Sequence, residues 1–161
     1  MERLWSPWRA RYIASGVDAQ RDGCVFCLIA AHPDDDETNF VLHRAEHCFV
    51  VLNLYPYITG HLMVVPYLHT NEFDLAAKEM TDELMDMTKR SQTVLRQVYS
   101  PPGFNMGMNL GSAGGAGIAD HLHIHLLPRW SGDTNFMTTI GESRVIPEDL
   151  PTTYSKLRPH F

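Results

Sequence analysis

The 161-residue sequence is short of cysteine, lean in positive charge and without any long apolar run, and each shortage excludes something. Its three cysteines, Cys24, Cys27 and Cys48, are too few and too odd in number for a disulfide framework. Thirteen Lys and Arg against nineteen Asp and Glu leave a net charge of −6. That argues against sequence-independent nucleic-acid binding, which needs a basic surface. No stretch approaches the ~20 apolar residues of a membrane helix. The opening Met1-Glu2-Arg3-Leu4-Trp5 has no signal-peptide pattern. The expectation is a cytoplasmic protein with neither a nucleic-acid nor a membrane partner.

What is present fits one domain of ordinary size, with 44% hydrophobic and 20% charged residues. The expected organisation is an N-terminal arm over 1–22, bearing Trp5, Trp8, Arg3, Arg9 and Arg11, a core over 23–148 and a tail over 149–161. The acidic run Asp34-Asp35-Asp36-Glu37 reads as a solvated loop. Residues 47–54 and 61–66 are β-branched and apolar, with the turn signals of Tyr55 to Gly60 between them. Residues 81–99 read as a helix: Leu84, Met87, Val94, Leu95 and Val98 share a face, Asp82 and Glu83 favour the first turn, and Pro101-Pro102-Gly103 ends it. Strands are expected over 103–110 and 121–128, joined by the loop Gly111-Ser112-Ala113-Gly114-Gly115-Ala116-Gly117. The fold class is α+β, an antiparallel sheet crossed by one main helix.

Residues 121–128 carry the chemistry, reading His-Leu-His-Ile-His-Leu-Leu-Pro. On a strand, alternate side chains share a face, so His121, His123 and His125 would line one side while Leu122, Ile124 and Leu126 enter the core. Packing has no need of three aligned imidazoles. They could hold a metal, or supply a nucleophile with acid partners. The preceding loop helps decide, because four glycines within seven residues let backbone N–H groups converge on phosphate oxygens. Imidazole attacks phosphorus competently, and a neighbouring imidazolium can protonate a departing oxygen. Phosphoryl or nucleotidyl transfer follows.

His121-Leu122-His123-Ile124-His125-Leu126-Leu127 resembles the signature of the histidine-triad family, three histidines alternating with apolar residues. The resemblance extends to Asn53-Leu54-Tyr55-Pro56, to Gly60-His61-Leu62-Met63-Val64-Val65-Pro66, and to Asn109 before the glycine loop. The stretch Pro128 to Phe136 looks like the branch that holds bacterial diadenosine tetraphosphate phosphorylases. The resemblance implies a five-stranded antiparallel sheet, usually paired into a homodimer. It implies His123 as the nucleophile that takes a nucleoside monophosphate, and His125 at the phosphate or the departing oxygen. His61 would support the row from behind and Asn53 would bond the ribose. Asn109 and the backbone of Gly114, Gly115, Ala116 and Gly117 would hold the α-phosphate. Many relatives place a Ser or Thr just before the first histidine, whereas Ala116-Gly117-Ile118 has no hydroxyl. Other backbone N–H groups or Ser112 are the candidates to replace it.

Cys24-Val25-Phe26-Cys27 is a C-x-x-C pair, which in a cytoplasmic chain means metal or redox chemistry. No thioredoxin-like βαβ pattern surrounds it. In zinc-bearing family members, a histidine just after the Val-Val-Pro strand and the first triad histidine complete such a pair; here those are His69 and His121. Four protein ligands would make the zinc structural. Cys48 reads as a small core residue. The function expected is cleavage of a dinucleoside polyphosphate at the α-phosphorus, with inorganic phosphate or water releasing the nucleotide. A nucleoside phosphoramidase, a nucleotide-binding regulatory protein and a zinc-stabilised interaction module are the rivals.

Overall fold

The computed structural model describes residues 23–135, 138, 140 and 146–161. The N-terminal arm expected over 1–22 lies outside them, as do Phe136 and much of the stretch before the tail. The elements run α1 (Val25–Ala31), β1 (Val41–Arg44), β2 (Cys48–Leu52), β3 (Leu62–Pro66), α2 (Lys78–Tyr99), β4 (Gly103–Gly107), β5 (Ile124–Arg129) and α3 (Leu150–Leu157). The strands form one five-stranded sheet in the order β1-β2-β3-β5-β4, and every neighbouring pair is antiparallel. The expected α+β class and five-stranded sheet are both found.

Strands buried on both faces explain the layers. Leu42, Cys48, Val50, Leu52, Leu62, Val64, Ile124 and Leu126 turn to one side, where α2 covers them with Met80, Leu84, Val94 and Leu95. Val41, Phe49, Val51, Met63 and Val65 turn to the other, against Phe26 and Ile29 of α1. α2 is a strongly amphipathic helix whose apolar positions recur at three- and four-residue steps. It begins three residues earlier than expected, and Met87 and Val98 pack at the margin of its buried face. Ser100 closes it in a left-handed conformation with its N–H on the Arg96 carbonyl, and Pro101 follows. Glu83 accepts N–H bonds from Glu46 and His47, tying the β1–β2 turn to the helix.

The turn Tyr55–Gly60 needs glycine at its end. Gly60 has φ +77°, and a Cβ there would meet Leu95 at 3.1 Å and Pro128 at 3.2 Å. The acidic run is only partly a solvated loop. Asp34, Asp35 and Glu37 are exposed, but Asp36 takes both Nε and Nη2 of Arg44. The same guanidinium donates to the Ile29 and Ala30 carbonyls at the end of α1. Arg44 thereby fixes α1 over the sheet, filling acceptors that a helix end leaves open. The tail expected over 149–161 is mostly helix: Asp149 caps α3 by accepting the Thr152 N–H at 2.9 Å.

Candidate functional site

On the α1 side of the sheet lies a cavity of about 750 Å³ lined by Phe26, Ile29, Val51, Asn53, Asn109, His123 and His125, among others. The strand that carries the histidines is shorter than expected. β5 begins at Ile124, so His121 and His123 precede the ladder instead of lying within it. Leu122, Ile124 and Leu126 do enter the core. The three histidines do not form one uniform row: His121 turns away to the cysteines, while His123 and His125 face each other with ring centroids 4.7 Å apart.

Fixed backbone groups assign the protons on these rings. His123 Nδ1 lies 2.9 Å from the His121 carbonyl oxygen, which can only accept, so Nδ1 carries the hydrogen. Nε2 of neutral His123 then holds the lone pair. A second chain starts at Tyr57, whose backbone N–H donates to His61 Nδ1 at 3.1 Å. His61 must therefore carry its hydrogen on Nε2, which donates to His125 Nδ1 at 2.9 Å. His125 is left with a hydrogen on its own Nε2. One cavity histidine presents a lone pair and its neighbour presents a donor, the division of labour that nucleophilic displacement with leaving-group assistance requires.

Burial keeps these rings neutral. Desolvation pushes His61 down to about 3, helped by the nearby His125 and His123. Desolvation, then His123, pushes His125 down to about 4. His123 is lowered by burial, with the His121 carbonyl opposing. His61 itself is only 1% exposed and lies behind His125, outside the cavity lining. The Tyr57 ring covers this pair, 4.8 Å from His61 and 6.3 Å from His125.

A pH prediction follows. In the unfolded chain His61 titrates near 6.5 and in the folded chain near 3, so between these values only the unfolded form is protonated. Its contribution to stability is present above pH 6.5 and is lost as the pH falls toward 3, at up to ~1.4 kcal/mol per pH unit. Melting curves of His61→Asn between pH 7 and 4 should fall less steeply than wild type. Equal slopes would contradict the assignment.

The remaining predicted residues divide. Asn53 lines the cavity, with Oδ1 accepting the Tyr55 N–H at 2.9 Å and Nδ2 against the His61 ring. Asn109, Gly115 and Gly117 also line it, whereas Gly114 and Ala116 do not. Gly114 is required for another reason: a Cβ there would lie 2.4 Å from the Leu110 carbonyl oxygen. The loop's N–H groups are not all available to a phosphate. Gly115 N–H donates to Ser112 O at 3.1 Å and Ala116 N–H to Gly111 O at 3.4 Å, closing the loop on itself.

The cysteine pair opens α1 and meets both predicted histidines. Ligand atoms of Cys24, Cys27, His69 and His121 all lie within 4.8 Å of one another. Cys24 Sγ is 3.3 Å from His121 Nδ1, and Cys27 Sγ is 3.3 Å from His69 Nδ1 and 3.6 Å from His121 Nδ1. Tetrahedral Zn–S and Zn–N bond lengths put such donors ~3.6 Å apart, so the set fits zinc. His121 Nε2 donates to the Pro66 carbonyl at 2.8 Å, leaving Nδ1 unprotonated toward the thiols. Cys48 is fully buried in the core, as expected.

The sequence reading missed α1 as a helix, and with it Phe26, whose ring lies 5.1 Å from His123 and 5.3 Å from His121. The three-residue spacing of Phe26 and Ile29 was the available signal.

A neutral imidazole with its lone pair turned to the cavity, beside a second neutral imidazole that presents an N–H, is equipped for group transfer at phosphorus. The chain belongs to the HIT domain family, whose model matches residues 35–132. It is 41% identical over 157 residues to the AP-4-A phosphorylase of Mycobacterium tuberculosis (strain H37Rv), covering 95% of this chain and 80% of that protein. It is 31% identical over 94 residues to the asymmetrical bis(5'-nucleosyl)-tetraphosphatase of Schizosaccharomyces pombe, covering 58% of this chain and 50% of that protein. A zinc-bound histidine triad family protein from Mycobacterium smegmatis superposes with a TM-score of 0.69 at 26% identity, covering 86% of this chain and 92% of that one.

Proposed function

We propose that the protein is an enzyme that cleaves a dinucleoside polyphosphate of the diadenosine tetraphosphate type at the α-phosphorus, and that inorganic phosphate completes the turnover. The observation that carries this is the pairing of His123, with its Nε2 lone pair, and His125, with its Nε2 hydrogen. The likeness to the AP-4-A phosphorylase supports the substrate class and the phosphate acceptor.

In the first step His123 Nε2 attacks the α-phosphorus and the bond to the bridging oxygen breaks. His125 hydrogen-bonds the departing polyphosphate oxygen through Nε2–H, and His61 steadies His125 from behind. The product held on the enzyme is a nucleoside monophosphate joined through a phosphorus–nitrogen bond. In the second step a phosphate oxygen attacks the same phosphorus, His123 leaves with its lone pair restored, and a nucleoside diphosphate forms. Asn53 would hold the ribose; Asn109 and the backbone at Gly115 and Gly117 would hold the α-phosphate. Gly114 and Ala116 act by shaping that loop.

Zinc on Cys24, Cys27, His69 and His121 would be structural, bracing α1 so that Phe26 backs His123. Among the described residues no helix is long and apolar enough to cross a membrane. The reading includes a cytoplasmic homodimer, with the exposed Met106 and Leu110 near the outer strand β4 available for pairing.

Incubation with diadenosine tetraphosphate, with and without inorganic phosphate, tests the reading. Products should appear much faster with phosphate and include ADP carrying the added phosphate. A rate and product set indifferent to phosphate would make the protein a hydrolase, as the tetraphosphatase relative is named.

A further inference from the structure

The cavity extends past Asn53 to a half-buried asparagine that the mechanism above does not use. Asn39 lines it, just ahead of β1, and among the described residues its side-chain amide has no hydrogen-bond partner. Its backbone is tightly held. Asn39 N–H donates to Asp35 O at 2.9 Å, Phe40 N–H to Glu37 O at 3.2 Å and Val41 N–H to Asp36 O at 2.8 Å. Phe40 adopts φ +57°, a left-handed conformation uncommon for a residue other than glycine. It places the Phe40 ring in the opposite core, 5.8 Å from Tyr154. The Phe40 carbonyl accepts the Leu52 N–H at 3.1 Å, which sets Asn39 beside Asn53.

The order of groups across the sheet follows a nucleotide from phosphate to base. His123 and His125 lie at β5, Asn53 at the end of β2 and Asn39 ahead of β1, in the strand order β5-β3-β2-β1. Three strand spacings make ~14 Å. Between these polar stations the wall is apolar, formed by Phe26, Ile29, Val51 and Met63, which suits the faces of a planar base. A base seated there places its edge at Asn39.

Resting on the nucleotide reading above, we propose that Asn39 reads the edge of that base and selects adenine. Asn39 Oδ1 accepts from the exocyclic amino group while Nδ2 donates to the adjacent ring nitrogen, the bidentate pairing that an amide makes with adenine. Loss of such a pair costs between about five-fold and about 150-fold in affinity.

The test is calorimetric binding of AMP and GMP to wild type, Asn39→Ala and Asn39→Asp, all zinc-replete. Wild type should favour AMP, and Asn39→Ala should weaken AMP by at least about five-fold. Asn39→Asp should weaken AMP at least as much as Asn39→Ala does. A carboxylate can only accept, so it repels the adenine ring nitrogen and gains nothing from guanine, whose same edge offers two acceptors, N7 and O6. Among the described residues the side chain makes no hydrogen bond, so both variants should melt with wild type, which the same samples check. AMP-to-GMP ratios unmoved in both variants overturn this proposal alone. Absence of AMP and GMP binding to wild type overturns it together with the nucleotide reading.

Discussion

His123→Ala is expected to lose turnover of diadenosine tetraphosphate by at least ~10⁴-fold, on the scale seen when a covalent nucleophile is removed. The size follows from where the other imidazole lone pairs are committed. His125 carries its lone pair on Nδ1, which accepts from His61, and shows the cavity a hydrogen. His121 directs Nδ1 at Cys24 and Cys27 and gives its Nε2 hydrogen to the Pro66 carbonyl. His61 accepts the Tyr57 N–H and lies behind His125. None can take over in-line attack. The fold should survive, because Leu122, Ile124 and Leu126 hold the segment to the α2 side of the sheet. Steady-state rates, with melting temperature and zinc content as controls, check this. His125→Ala should be less severe, since donation to a good leaving group is worth only ~10²–10⁴-fold. A rate within tenfold of wild type in His123→Ala would contradict the assignment.

Removal of zinc, by chelation or by Cys24→Ser, is expected to produce the largest loss of stability. The four side chains proposed to hold zinc join two distant parts of the chain, α1 on one side and the segments at His69 and His121 on the other. α1 has only seven residues and buries Phe26 and Ile29, so its own packing is modest. Structural zinc contributes directly to folding, and breaking the set should lower the melting temperature by roughly 10 °C. The α2 side of the core does not depend on α1, so the chain should remain folded at 25 °C. Activity should fall too, because Phe26 packs on His123. Elemental analysis should find close to one zinc per chain. Protein purified without chelators that contains no zinc and melts no higher after zinc is added would contradict this.

The legible parts of the sequence were those where one physical rule acts alone. The alternation of His and apolar residues over 121–128 marks a strand with one core face, and Leu122, Ile124 and Leu126 fill that face. α2 was visible because its periodicity runs over 22 residues. The start of β5 was not, since the pull of His121 toward the cysteines is tertiary and leaves no mark on the local pattern. α1 is too short for periodicity to outweigh its C-x-x-C, and β1 has four residues with a register shift after Val41. The glycine loop misled in part. Four glycines permit N–H groups to converge on a ligand, but two nearby N–H groups bond within the loop instead. Asn39 was invisible because a polar residue in a polar loop carries no pattern; only the pairing of Phe40 with Leu52 places it beside Asn53.

The covalent intermediate is the central claim, and intact-protein mass tests it most directly. Wild type and His123→Ala are mixed rapidly with diadenosine tetraphosphate without inorganic phosphate and quenched in alkali, where a phosphorus–nitrogen bond to imidazole survives. Wild type should gain the mass of one adenylyl group, the gain should vanish on adding phosphate before the quench, and His123→Ala should show none. An adduct of equal yield in His123→Ala, or none in phosphate-free wild type from a preparation that turns over fully once phosphate is supplied, would contradict the account.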